Sequence, residues 1–347
     1  MTALPPTEAR PALTTLAALE ADGLLPEGSG LEDVAEAFRI RLTPEMRAAV
    51  AAPGDPVARQ FVPAAEERVI HPGDLADPIG DAAHMVAPGL THRYADRAIL
   101  AVTKTCEVYC RFCFRRETVG DSGPLSDADL DAALDYLART PAVREVILTG
   151  GDPMSLSPRR LGAALARLAA IPHIETLRLH TRVPVVAPAR IDAAMLAALE
   201  GEKPVWLVLH TNHAQELTPA ALAALDRLRR AGVPLLSQTV LLKGVNDSAD
   251  ALEALFRALV RARVKPYYLH HCDPARGAGH FRTTLAEGQA IMAELRRRLT
   301  GIALPAYVLD IPGGHGKVPV GPGHLAQGPE GWIVTDPRGH RHPYRDP

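Results

Sequence analysis

Cysteine is scarce in this chain, with four residues in 347. Three are clustered and one stands apart, which does not make the disulfide framework of a small secreted fold. Blocks of basic residues are missing and the net charge is −2, so nothing marks a nucleic-acid surface. No apolar run approaches the roughly 20 residues needed to span a bilayer. The opening Met-Thr-Ala-Leu-Pro-Pro lacks the basic-then-apolar pattern of a leader. A cytoplasmic protein is the expectation. What is present is an ordinary globular composition, 47% hydrophobic and 22% charged, with enough apolar residues for a sizeable core. The length is long for one ordinary domain and short for three.

The three clustered thiols organise the rest. Cys106, Cys110 and Cys113 stand in the pattern C-x3-C-x2-C, just after the apolar run Arg97-Ala98-Ile99-Leu100-Ala101-Val102. That run reads as a buried strand, so the thiols fall on the loop behind it. Three thiolates can hold three irons of a four-iron cluster and leave the fourth iron open to a ligand. A zinc loop is the alternative, but a structural zinc site wants four closed ligands, usually in paired C-x2-C units, and no fourth is in view. Three core thiols grouped by chance is the other.

Residues 1–60 are rich in Ala, Pro and Glu, and 31–50 reads as one or two helices interrupted where Thr43 can cap and Pro44 can open a helix. Residues 53–91, dense in Pro, Gly and Asp, read as an irregular arm that packs on a neighbour. From Asp96 the pattern becomes regular. Strands are expected at 97–103, 145–149, 176–180, 205–210, 234–240 and 266–271. Helices are expected at 127–138, 159–170, 191–199, 220–231, 248–261 and 285–299. Such alternation argues for a parallel sheet covered by helices, because parallel neighbours need crossover connections. After Leu304 we expect short strands and turns that close over the mouth of the sheet.

Periodicity does not say whether this sheet closes, but in parallel α/β folds chemistry gathers at the C-terminal strand ends. The first strand ends in the cysteine loop and the second in Thr149-Gly150-Gly151-Asp152-Pro153. The fourth ends in His210-Thr211-Asn212-His213, the fifth carries Gln238, and the sixth ends in His270-His271-Cys272-Asp273. Polar groups from distant segments therefore converge on one rim. Gly150 and Gly151 would let a ligand approach the backbone closely; an ordinary strand-to-helix turn is the bland alternative. Lys317, in Pro-Gly-Gly-His-Gly-Lys, has few side chains before it and can reach a bulky aldehyde, as a Schiff-base lysine must; a solvated lysine on a Gly-rich loop is the alternative.

C-x3-C-x2-C after a first strand resembles the signature of the radical S-adenosylmethionine (SAM) enzymes. The longer Cys110-Arg-Phe-Cys113-Phe-Arg115-Arg116 resembles, more narrowly, the lysine 2,3-aminomutases, and the likeness covers about residues 50–320. It implies an open (β/α)6 partial barrel at 96–303, with a helical and irregular arm at 1–95 and an extension at 304–347 that carries the cofactor lysine. It implies a 4Fe-4S cluster on Cys106, Cys110 and Cys113, and SAM against Gly150, Gly151, Asp152, His210 and Gln238. Pyridoxal 5′-phosphate (PLP) would be bound by Lys317, its phosphate by Arg93 and Arg97, for which guanidinium forks are well suited. Arg115 would take the substrate carboxylate, and Asp273 with Asp310 the ε-ammonium of lysine. The implied enzyme is an isomerase that moves the amino group of L-lysine from C2 to C3, giving β-lysine. It would draw electrons from a donor such as a flavodoxin or ferredoxin, and a homo-oligomer is left open. An aminomutase associated with elongation factor P, or one acting on arginine or glutamate, are the alternatives; two acids at the side-chain end disfavour glutamate.

The chain departs from the family in two places. His315 stands where glycine is usual in the lysine loop, either crowding the cofactor or pointing outward. Long members carry zinc on C-terminal cysteines and on a cysteine of a neighbouring subunit. Here no cysteine follows Cys272, and Gly244-Val-Asn-Asp-Ser248 offers serine instead. No zinc is expected, and Cys272 reads as a core thiol.

Overall fold

The computed structural model describes residues 11–120, 122–328 and 331–344. The Met1 to Pro6 stretch and the end of the C-terminal extension lie outside the described residues. The central strands are β1 (Met85–Ala87), β2 (Leu90–Tyr94), β3 (Arg97–Thr103), β4 (Glu145–Gly150) and β5 (Thr176–Thr181). They continue with β6 (Val205–His210), β7 (Leu235–Leu241), β8 (Lys265–His271), β9 (Ala306–Asp310) and β10 (Lys317–Pro319). All ten lie in one sheet in sequence order. From β3 to β9 each neighbour is parallel, with Leu100 opposite Leu148 and Leu179 opposite Leu207 in the register. Strands β1, β2 and β10 are antiparallel additions at the two edges. Among the described residues no pairing joins the edges, so the sheet is an open barrel.

Parallel neighbours require crossovers, and helices supply them. Helices Asp127–Ala138, Pro158–Ala169, Pro219–Arg230, Ala249–Arg261 and Leu285–Arg298 each start at a Ser or Thr whose hydroxyl accepts an amide of the first turn. Such a cap commonly contributes about 1 kcal/mol, which is why the sequence marks these starts so clearly. Side chains alternate along a strand. Leu100, Leu148, Leu179 and Leu207, all fully or almost fully buried, face the helices. Ile99, Ile147, His180 and Gln238 face the other way and line a cavity.

Two segments differ from the sequence expectation. Part of the expected irregular arm pairs as β1 and β2. Ala306–Asp310, expected as a short closing strand, instead continues the parallel series as a seventh member, because the helix Leu285–Arg298 before it supplies one more crossover. Beyond β10, β11 (Leu325–Gly328), β12 (Gly331–Thr335) and β13 (Arg341–Tyr344) form a separate antiparallel sheet. The arm is tied to the barrel through Thr43, which caps the helix Pro44–Ala49 and donates its hydroxyl to the Val186 carbonyl at 2.6 Å. No helix among the described residues is long and apolar enough to cross a membrane.

Candidate active site

The cysteine loop leaves β3 and is held from two sides. On one side it crosses the end of β4: the Gly151 amide donates to the Thr103 carbonyl at 2.6 Å and the Asp152 amide to the Thr105 carbonyl at 2.8 Å. A Cβ on Gly151 would come within 2.2 Å of the Thr105 oxygen, and Gly150 has φ +108°. These glycines are therefore required first by the crossing of two chain segments, although both also reach the cavity wall. On the other side the arm grips the loop. The Arg111 amide donates to the Gln60 carbonyl at 2.8 Å, and the Tyr109 amide to the Arg41 carbonyl at 3.1 Å.

The arginines between and after the cysteines divide into two sets. Arg111 is fully buried and donates twice to Glu67, at 2.6 and 2.8 Å; Arg116 donates to the same carboxylate at 2.7 Å. A buried pair broken at one partner commonly costs about 3–5 kcal/mol, so this triad fixes the loop on the arm. Arg115 turns the opposite way, into the cavity.

That cavity has a volume of about 660 Å³, and every site residue the sequence nominates lines it. Cys106, Cys110 and Cys113 do so, although they are spread over the loop. Burial raises all three thiols, Cys113 to about 11. At Cys110 the Arg182 guanidinium opposes this, donating to Sγ at 2.9 Å. Iron would displace these protons, since metals bind thiolates. The donor set fits a four-iron cluster. Among the described residues no three His, Cys, Asp or Glu close on a single ion. Cys272 stays out of the cavity, packed with Phe112, Leu242 and Phe281.

Asp152 is buried, and burial pushes its pKa up to about 6. Its carboxylate accepts from Thr181 Oγ1 at 2.7 Å and from the Arg182 amide at 2.7 Å, joining the ends of β4 and β5. His210 sits edge-on to Phe112, is kept neutral by burial, and has a buried Nε2 with no partner among the described residues. The Nε2 atoms of His180 and His270 are likewise unpartnered. Unpaired buried polar atoms are costly, so these atoms suit a cavity that takes a polar ligand.

Lys317 begins β10, its amide accepted by the Tyr94 hydroxyl at 2.8 Å. Its Nζ forms an ion pair with Asp310, lies 3.2 Å from His270 Nδ1 and lies 5.4 Å from the centre of the Tyr268 ring. Burial opposes charge on Asp310, but His270 and Lys317 hold its carboxyl well below the usual range. Asp273 is the contrast: burial, and then the neighbouring Asp310, push its pKa up to about 7, and its buried Oδ1 has no partner among the described residues. His315 is exposed and does not line the cavity.

Arg97 stacks on Tyr94, 3.8 Å from the ring centre, and pairs with Asp96. Arg93 and Arg115 each pair with Asp81. Sequence reasoning missed Asp81, one aspartate of an Asp-rich arm with no pattern to single it out. It also missed His180 and Arg182, which the rim rule would have found had it been applied to the strand ending near 180.

Chemistry gathered at the C-terminal ends of parallel strands invites comparison with known proteins. Residues 100–256 match the model of the Radical SAM superfamily. The L-lysine 2,3-aminomutase of Fusobacterium nucleatum is 40% identical over 92% of this chain and 76% of its own length. That of Clostridium subterminale is 41% identical over 86% of this chain and 73% of its own. Among solved structures, a radical SAM methyltransferase from Sphaerobacter thermophilus is 20% identical, with a TM-score of 0.44 over 63% of this chain and 68% of that one. A four-iron cluster and SAM follow from the superfamily. Identity of 40% and 41% to curated relatives over most of both chains settles the assignment: the chain belongs to the lysine 2,3-aminomutase family of radical SAM isomerases.

Proposed function

We propose that the enzyme converts L-lysine to β-lysine by 2,3-amino migration, using SAM, the cluster on Cys106, Cys110 and Cys113, and PLP on Lys317. The observation that carries this reading is the pair of acids beside Lys317. Asp310 already holds one primary ammonium, that of Lys317, and Asp273 has an unpartnered oxygen in the same cavity. An amine engaged with PLP no longer neutralises Asp310, so that carboxylate then calls for another cation. A lysine side chain supplies one; a neutral or acidic side chain would leave buried charge unpaired, which is costly.

When bound, the cofactors supply the radical and the carbonyl that carries the migrating amine, and the protein's part is to bind and orient. Arg93 and Arg97 are suited to the PLP phosphate. Arg115 is suited to the substrate carboxylate, because a guanidinium fork matches two oxygens. Gly150, Gly151, Asp152, His210 and Gln238 form the wall suited to SAM. Asp273 keeps a proton on its carboxyl until the ε-ammonium arrives, then releases it. His180, His210 and His270, all neutral, hydrogen-bond without adding charge. We assign zinc no role, and electrons to a small donor such as a flavodoxin or ferredoxin. The test is PLP absorbance of the purified protein. The Lys317-dependent band is expected in the native chain and lost in Lys317→Ala. An unchanged band and stoichiometry in the variant would refute Lys317 as the attachment point.

A further inference from the structure

Asp81 stands behind the cavity with its side chain 18% exposed, and its two oxygens are divided between two arginines. Oδ1 accepts from Arg93 at 3.0 Å and Oδ2 from Arg115 at 2.8 Å. Arg93 is only 6% exposed and its buried Nε has no partner among the described residues; Arg115 also donates to Thr149 Oγ1, at a long 3.4 Å. Two guanidinium groups this close repel, and a single carboxylate between them offsets the repulsion and fixes both forks.

The carboxylate is itself fixed in place. The Asp81 amide donates to Asp77 Oδ1 at 2.9 Å, and the next amide to Asp77 Oδ2 at 2.8 Å. Gly80, at φ +66°, lies against the loop that precedes Lys317: a Cβ there would meet the Gly313 carbonyl at 2.8 Å. The Gly313 amide donates back to the Pro78 carbonyl at 3.0 Å. One short segment therefore touches the lysine loop with its backbone and both arginines with one side chain.

We infer that Asp81 is a positioning residue that couples the phosphate receptor Arg93 to the carboxylate receptor Arg115, so that cofactor and substrate anions are held in fixed relation to Lys317. This rests on the roles proposed above for those two arginines. A carboxylate serving both must affect two ligands at once, whereas a residue supporting only the fold would affect neither specifically.

The experiment compares Asp81→Asn, Asp81→Glu, Arg93→Ala and Arg115→Ala in the cluster-loaded protein. PLP affinity is read by absorbance titration, and lysine affinity by the change lysine makes in that absorbance. Bound iron and melting temperature are recorded alongside. Asp81→Asn is expected to weaken PLP and lysine binding each by roughly tenfold, within what removing a group behind a ligating side chain commonly costs. Iron and melting temperature should stay near native, and Asp81→Glu should recover part of both affinities. Tighter PLP or lysine binding in Asp81→Asn would overturn the inference, because the carboxylate would then be a competitor for the arginines. Unchanged affinities would overturn it as well, provided Arg93→Ala still loses PLP and Arg115→Ala still loses lysine. If those two arginine variants bind their ligands like the native protein, the reading of the arginines falls and the inference falls with it.

Discussion

Asp273 and Asp310 are the same residue type on the wall of one cavity, yet they differ in charge. Lys317 and His270 keep Asp310 ionised, whereas burial holds Asp273 protonated up to about pH 7. If Asp273 takes the ε-ammonium, lysine binding must expel its proton below that pH. Lysine affinity is expected to rise with pH to about 7 and then level off, well below the titration of the amine itself near ~10.4. In Asp273→Asn the dependence should vanish; a native-like pH profile in that variant would count against the assignment. The same shift bears on stability. The folded-state value lies above the ordinary carboxylate value of 3.8, so the stability from this group is present below 3.8 and is lost as pH rises through about 7. Asp310→Asn should weaken lysine by roughly 30-fold, or about 2 kcal/mol, because the second acid remains. Since Asp310 also pairs with Lys317, the PLP absorbance of that variant should shift before lysine is added. Spectra identical to the native protein would show that the pair does not tune the lysine.

At the scale of elements, the cysteine loop and the 150–152 turn are one unit, because the backbone of each fills the space beside the other. Gly151→Ala is expected to force them apart, with overpacking of this kind costing roughly 1–3 kcal/mol, and to lower bound iron although no ligand has changed. Cys110→Ala should lose iron outright. Cys272→Ala should keep it, at about 1 kcal/mol of core stability; equal iron loss in the two cysteine variants would sink the ligand assignment. Much of this scale was legible in the sequence. The helices near 127–138, 159–170, 220–231, 248–261 and 285–299 were legible through apolar periodicity, and strand β3 through an unbroken apolar run; the caps at Ser126, Ser157, Thr218, Ser248 and Thr284 emerge from the structure. Strand β9 was read less fully, since its place in the parallel series depends on a partner distant in sequence. The Glu67 grip on Arg111 and Arg116, and the Asp81 bridge, were not legible for a related reason. A charged residue in an arm carries no periodicity to say which charge it will meet.

For the whole molecule, the open sheet brings thiols, arginines, acids and Lys317 from separate strand ends to one cavity, a convergence the rim rule anticipated. The chain carries no cysteine after Cys272, and metal analysis of the purified protein is expected to find no stoichiometric zinc. About one zinc per chain would show that other residues replace those thiols. The most direct test of the account is turnover. Reconstituted protein, kept anaerobic with SAM, PLP and a chemical reductant, is given lysine, arginine, glutamate and a neutral amino acid in turn. We predict β-lysine from L-lysine, no product from the neutral or acidic compound, and loss of turnover in Lys317→Ala. Turnover of glutamate or of the neutral amino acid in place of lysine, by protein with full iron and bound PLP, would contradict it.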